Sequence, residues 1–268
     1  MQLDVAELRD FYVTPLGRIV RNIVSTEVRT MWPSITGDQV VGLGHTTPFL
    51  RSFIKEAGRV VAMMPAAEGV LHWPRDGLNL TALTYEDCLP LADNSVDKIL
   101  AIHLVEVTRD PLTLLRECWR VLVPTGRILV VAPYRTGSWA RAESTPFGLG
   151  RPYSRAQLSK LMETAFLEPQ AVSRFLFVPP IDRRYFLRST RGFERLGRQL
   201  WPRFAGLVAV EAQKNVVRGL PAGQPANRLR LAVPGLAPVP KPAACTAVSA
   251  SAKTRPVRQE GSKTTTAR

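Results

Sequence analysis

The spacing of apolar and polar positions changes along the chain, and the changes mark its elements. From residue 6 to 32 the apolar positions recur at helical spacing. Val20, Ile23, Val24 and Val28 share one stripe, and Arg18, Arg21, Glu27 and Arg29 fall off it. This predicts one helical lead-in, over residues 1–37, packed on the rest of the chain. Trp32-Pro33 ends it, because a residue before proline is pushed out of the α region. From residue 39 the pattern becomes one of short apolar runs separated by turns and helical stretches. Strands are predicted at 39–43, 59–63, 79–84, 98–102, 127–132, 171–178 and 205–212, with helices at 49–57, 111–122 and 154–166. Strands alternating with helical crossovers predict the α/β class and a doubly wound, mostly parallel sheet, with ligands at the carboxyl ends of its strands.

The stretch around which the rest is organised is Gln39–Arg51, QVVGLGHTTPFLR. A strand runs into a turn with Gly42 and Gly44, then into a helix start at Thr46, Thr47 and Pro48. Glycine lets the backbone turn sharply and approach a ligand closely. A threonine can cap the helix, and proline suits its first turn.

Composition narrows the setting. The 268 residues suffice for one large α/β domain. Three scattered cysteines, Cys88, Cys118 and Cys245, have neither disulfide nor metal-ligand spacing and point to a reducing compartment. The start, MQLDVAELRDF, is acidic where a secretory leader is basic, and no apolar run approaches a membrane span. These features predict a cytoplasmic protein. From residue 219 to 268 there are eight bases and one acid, which is half of the net charge of +14 in fifty residues. That Pro/Ala-rich tail lacks periodicity and is predicted to be disordered. Its bases are spread out with no aromatics between them, which weighs against nucleic-acid binding. The domain itself is expected over residues 38–218.

The middle of the chain resembles the class I S-adenosylmethionine-dependent methyltransferases of the small-molecule type. The residues that carry the resemblance are Leu89-Pro-Leu-Ala-Asp-Asn-Ser-Val-Asp97, then Ile99-Leu-Ala-Ile-His103, then Leu115-Arg-Glu-Cys-Trp-Arg-Val-Leu-Val-Pro-Thr-Gly-Arg127. It extends over roughly residues 38–135 and implies seven strands, the last antiparallel, with S-adenosylmethionine at the ends of the first four. The glycine loop is degenerate. Gly42 stands where the family has an acid, Gly44 matches its first glycine, and Thr46 and Pro48 replace the others. The acid that ends the second strand and holds the ribose is absent, with Met63-Met64-Pro65 in its place.

The resemblance implies cofactor contacts from Gly42, Gly44, His45, Thr46, Met63, Met64, Glu86, Asp87, Cys88, Leu89 and His103. His103 and Glu106 are candidates for proton transfer, since a histidine takes up a proton near pH 7. Tyr134, Arg135 and Trp139, after the fifth strand, combine aromatic surface with a fixed cation and are candidates for the acceptor wall. No metal is expected, and the oligomeric state is left open. The expected activity is methyl transfer to a small-molecule or lipid-like acceptor. The eroded loop leaves open an inactive fold serving as a binding or regulatory partner. A nicotinamide oxidoreductase lacks both its third glycine and its second-strand acid here.

Overall fold

The structure, a computed structural model, describes residues 4–180, 192, 194, 197 and 199–216. The sheet has seven strands: β1 (Gln39–Gly44), β2 (Arg59–Pro65), β3 (Thr81–Thr84), β4 (Val96–Ile102), β5 (Leu122–Pro133), β6 (Leu167–Phe175) and β7 (Leu207–Lys214). Their order is β3-β2-β1-β4-β5-β7-β6. Strands β1 to β5 are mutually parallel, and β7 runs antiparallel between β5 and β6. The expected α/β class, seven-strand count and antiparallel last strand are all observed.

The central strands are apolar on both faces because both are covered. On one face Val41, Leu43, Ile99, Ala101, Ile128 and Val130 meet α4 (Pro111–Val121) and α5 (Arg155–Thr164). On the other, Val40, Leu100, Ile102, Leu129 and Val131 meet the N-terminal helices and α3 (Thr47–Leu50).

The lead-in is two helices, α1 (Val5–Val13) and α2 (Pro15–Met31). Thr14 stands between them in extended backbone, its hydroxyl accepting from the Gly17 amide, and Pro15 opens the second helix. Val20, Val24 and Val28 anchor α2 to the sheet. Glu27, expected off the stripe, is buried, and its carboxylate accepts from the Ser173 hydroxyl.

Three other boundaries differ from expectation. The helix after the glycine turn covers only Thr47–Leu50. Beyond it the chain winds through turns whose amides bond three residues back, as in Phe53 to Leu50 and Glu56 to Phe53. Phe49, Leu50 and Phe53 are still buried by this path. Strand β5 starts at Leu122, not Arg127. Val96 pairs with Leu122 before Lys98 pairs with Arg127, so Pro124-Thr-Gly126 is absorbed as an irregularity in the ladder. Strand β6 starts at Leu167, because Phe166 takes a positive φ of 63° and turns the chain directly from α5 into the sheet. Residues 182–200 fall mostly outside the described residues, and the tail from 219 falls wholly outside them.

The most specific sequence pattern proves to be scaffold. Arg120 donates to the carbonyls of Leu89 and Leu91 and to the carboxylates of Glu117 and Asp93. Asp97 accepts from the Gln39 amide at 2.8 Å, and Ser95 donates its amide to Val121. One guanidinium thereby ties the 89–97 loop to α4 and fixes the level at which β4 enters the sheet.

Candidate active site

The chain ends of β1, β2 and β4 converge under α1. Gly44 closes β1 with φ +76°, and a Cβ there would lie 2.5 Å from the Ile102 carbonyl oxygen. Only glycine meets both conditions. Gly42 is required for another reason. A Cβ there would press on Thr46 Oγ1 and Leu50 Cδ1, so this glycine serves the packing of α3. His45 follows, its amide bonded to Ile102, its ring buried and both ring nitrogens without a partner. Burial, with His103 beside it, pushes its pKa down to about 3, so the ring is neutral. Thr46 is also buried, and its hydroxyl has no partner and caps nothing.

His103 follows β4 in the left-handed region, φ 55°, and is 0% exposed. A non-glycine residue held there is uncommon, and histidine is among the residues that tolerate it better. Its Nε2 lies 2.7 Å from the Tyr12 hydroxyl of α1, and its Nδ1 lies 3.4 Å from Glu106 Oε1. Tyr12 stacks on His45, with centroids 5.5 Å apart and planes 7° apart, and meets Phe49 edge-on. Phe147 covers His103 at 4.4 Å. Burial, with Glu106 adding, raises the phenol pKa well above its usual value. The Glu106 carboxylate is buried and accepts no hydrogen bond among the described residues, with the His103 ring within ion-pair distance. Gly150 packs on its side chain so closely that a Cβ would come within 2.6 Å.

Beside this cluster opens a recess of about 1040 Å³, lined by residues after β2, β3 and β4. Pro65, Ala66, Ala67 and Val107 supply apolar surface, and Glu68, Glu86, Asp87 and Thr108 supply polar groups. Glu68 is buried with Oε1 unpartnered, and burial together with Glu106 and Glu86 raises its pKa to about 8. Burial and Asp87 likewise raise that of Glu86.

The structure thus brings His45, Thr46, His103 and Glu106 together and puts Glu86 and Asp87 on the adjoining recess. It places other expected site residues elsewhere. Met63 and Met64 are core residues of β2, and the strand presents Pro65 to the recess instead. Leu89 is core, and neither it nor Cys88 lines the recess. Trp139 is not a wall at all. It is 0% exposed, donates Nε1 to the Val178 carbonyl at 2.6 Å, and packs edge-on against Phe147. Gly206 lies against the indole, so the ring fills the space beneath the loop. Tyr134 and Arg135 are on the surface, lining separate recesses. Arg135 shares its recess, of about 490 Å³, with Arg151, Tyr153 and Gln157.

Sequence reasoning missed Tyr12, Glu68, Thr108 and Phe147. For Tyr12 a signal existed: Thr14-Pro15 separates a short helix that can cross the strand ends while α2 lies on the sheet. Among the described residues no group of histidine, cysteine and acid side chains could hold a metal, and no helix is long and apolar enough to cross a membrane. Neither Cys88 nor Cys118 forms a disulfide among the described residues.

In an α/β sheet of this order, ligands bind in the crevice outside the carboxyl ends of the strands, where this aromatic and carboxyl-rich cluster lies. Residues 40–130 match the family described as "Methyltransferase domain". A protein named probable S-adenosylmethionine-dependent methyltransferase, from Mycolicibacterium smegmatis, is 37% identical over 82 residues. The match covers 30% of this chain and 32% of that protein, so it spans about a third of the curated relative's length. Among solved structures, a methyltransferase from Thermotoga maritima, described as a possible histamine N-methyltransferase, superposes with TM-score 0.60. It is 19% identical and covers 79% of this chain and 96% of its own. The methyltransferase solved in complex with the Haloferax volcanii Trm112 activator superposes with TM-score 0.57, at 19% identity, over 79% and 95% of the two chains. The domain match thus lies on residues 40–130, and the fold around it is shared with these solved methyltransferases.

Proposed function

We propose that the protein is a methyltransferase that uses S-adenosylmethionine and acts on a small-molecule or lipid-like acceptor. The observation that carries this reading is the set of buried, unpartnered polar atoms on His45, Thr46, Glu68, His103, Glu106 and Thr108. Buried polar groups are normally paired, because leaving one unpaired costs about 1–3 kcal/mol. Six residues with such atoms, drawn from the ends of β1, β2 and β4, suit a ligand with many polar groups.

The residues fit the cofactor end by end. His45, Thr46 and the Gly44 backbone would face its amino-acid portion. Glu68, three residues past β2, would take the part of the missing ribose acid. Pro65, Ala66, Ala67 and Val107 offer adenine an apolar lining. When bound, the cofactor supplies a methyl group on a sulfonium. The chain contributes positioning and exclusion of water, with His103 as the group that takes a proton from the acceptor.

The acceptor would enter from the Arg135–Arg151 side. The Arg151 amide bonds the Glu106 carbonyl at 2.8 Å, and the Tyr153 hydroxyl bonds that of Val105, so this recess is tied to the segment that carries the proton-handling residues. Neither guanidinium has a hydrogen bond or ion pair among the described residues, which suits an acidic or flat acceptor.

Titration calorimetry with S-adenosylhomocysteine tests the reading. Binding in the micromolar range, weakened at least tenfold by Glu68→Ala, is the expected result. No heat at millimolar ligand would overturn it and favour the inactive, partner-binding fold.

A further inference from the structure

We infer that Tyr12 is a positioning residue that sets the tautomer of His103, holding the ring with its proton on Nδ1 and its lone pair on Nε2. The inference deepens the methyltransferase reading and rests on it for its function, though its geometry stands alone.

The argument is a count of donors. The Tyr12 hydroxyl is buried and, among the described residues, has a single hydrogen-bond partner, Nε2 of His103 at 2.7 Å. Burial and Glu106 both disfavour the phenolate, so the oxygen keeps its proton and must donate it. If Nε2 also carried a proton, two donors would meet and the phenol proton would have no acceptor in a dry site. Nε2 therefore accepts, and the ring carries its proton on Nδ1. That nitrogen faces Glu106 Oε1 at 3.4 Å, an ion-pair distance without a formed hydrogen bond, at which an N–H is favoured and a lone pair would be repelled. The other groups around the ring do not change this assignment. Phe147 is apolar, and His45 is kept neutral by burial and by His103 itself.

The consequence concerns proton transfer. When the O–H or N–H of an acceptor takes the place of the phenol on Nε2, it meets a nitrogen already bare. As the acceptor's bond to the methyl carbon forms, its proton passes to Nε2, and the electron pair of the broken S–CH₃ bond remains on sulfur. The resulting imidazolium keeps Nδ1–H directed at Glu106. Tyr12 thus maintains His103 as a base between turnovers.

The chain has three histidines, His45, His72 and His103, so imidazole ¹⁵N spectra of the full-length protein are assignable with His45→Asn and His72→Asn variants. At neutral pH, His103 of the unmodified protein is expected to show a protonated Nδ1 and an unprotonated Nε2. Tyr12→Phe keeps the ring stack and removes the hydroxyl, and Nε2 should then shift toward the protonated position as the tautomers mix. Glu106→Gln should cause mixing from the other side. A protonated Nε2 in the unmodified protein overturns the inference without any variant. Unchanged spectra in a folded Tyr12→Phe protein also overturn it. S-adenosylhomocysteine calorimetry is read separately: failure to bind removes the methyltransferase reading and leaves the tautomer result in place.

Discussion

The hydroxyl of Tyr12 and Nε2 of His103 lie 2.7 Å apart although 91 residues separate them in sequence. The contact joins the first helix to the end of the fourth strand and closes the site from above. It exists because α1 breaks from α2 at Thr14 and crosses the strand ends, while α2 remains anchored on the sheet.

Glycine at position 44 is required by the backbone itself. Gly44→Ala would place a methyl 2.5 Å from the Ile102 carbonyl at a φ of +76°. We expect a loss of about 1–3 kcal/mol in urea-denaturation stability from strain alone. S-adenosylhomocysteine affinity should fall in the same variant, as calorimetry would read.

Trp139 serves packing. Trp139→Ala should lower unfolding free energy by about 3–5 kcal/mol, as truncations of buried aromatics do. The lost bond to the Val178 carbonyl adds to the cavity. At a temperature where the variant is still folded, cofactor affinity should stay within a few-fold of the unmodified protein. Full stability with a specific loss of acceptor turnover would return the indole to the site.

Glu68 makes stability depend on pH. Its folded pKa of about 8 lies above its ordinary 4.5, so between these values the folded state holds a proton that the unfolded state has released. Stability contributed by the neutral carboxyl is present below about pH 4.5 and is lost as pH rises toward 8. Relative to Glu68→Gln, the unmodified protein should lose on the order of a few kcal/mol across that window. Urea denaturation of both proteins at pH 5 and pH 8 reads the difference. His45 acts in the opposite sense, since its depressed pKa costs stability as pH falls from 6.5 toward 3.

Arg135 and Arg151 test the acceptor side. Changing both to alanine should leave melting temperature and S-adenosylhomocysteine binding nearly unchanged, because neither guanidinium has a partner among the described residues. Turnover of a carboxylate- or phosphate-bearing acceptor should fall by at least tenfold. Equal turnover in the double variant would remove this recess from the reaction path.

Local chemistry determined much of this protein before any contact was known. Short apolar runs marked all seven strands and 3.6-residue spacing marked the cores of α4 and α5, since burial on both faces of a sheet or on one face of a helix imposes those patterns on any sequence. The capping box at Ser154 and the proline opening α4 are likewise local, with both partners within one turn. The motif around Arg120 carried the family resemblance, and in the structure it holds a loop against α4. The candidate site was legible at or just after the strand ends, at Gly44, His45, Thr46, Glu86, Asp87, His103 and Glu106. What folding alone decided is what meets those ends from afar. Whether an indole in a loop faces solvent or fills a core depends on Val178 and Gly206, many residues away. Likewise, the role of Tyr12 depends on how α1 crosses the sheet, and that of Glu68 on the desolvation it finds there. Periodicity records which side of an element is buried, and it holds no record of which distant group will lie against it.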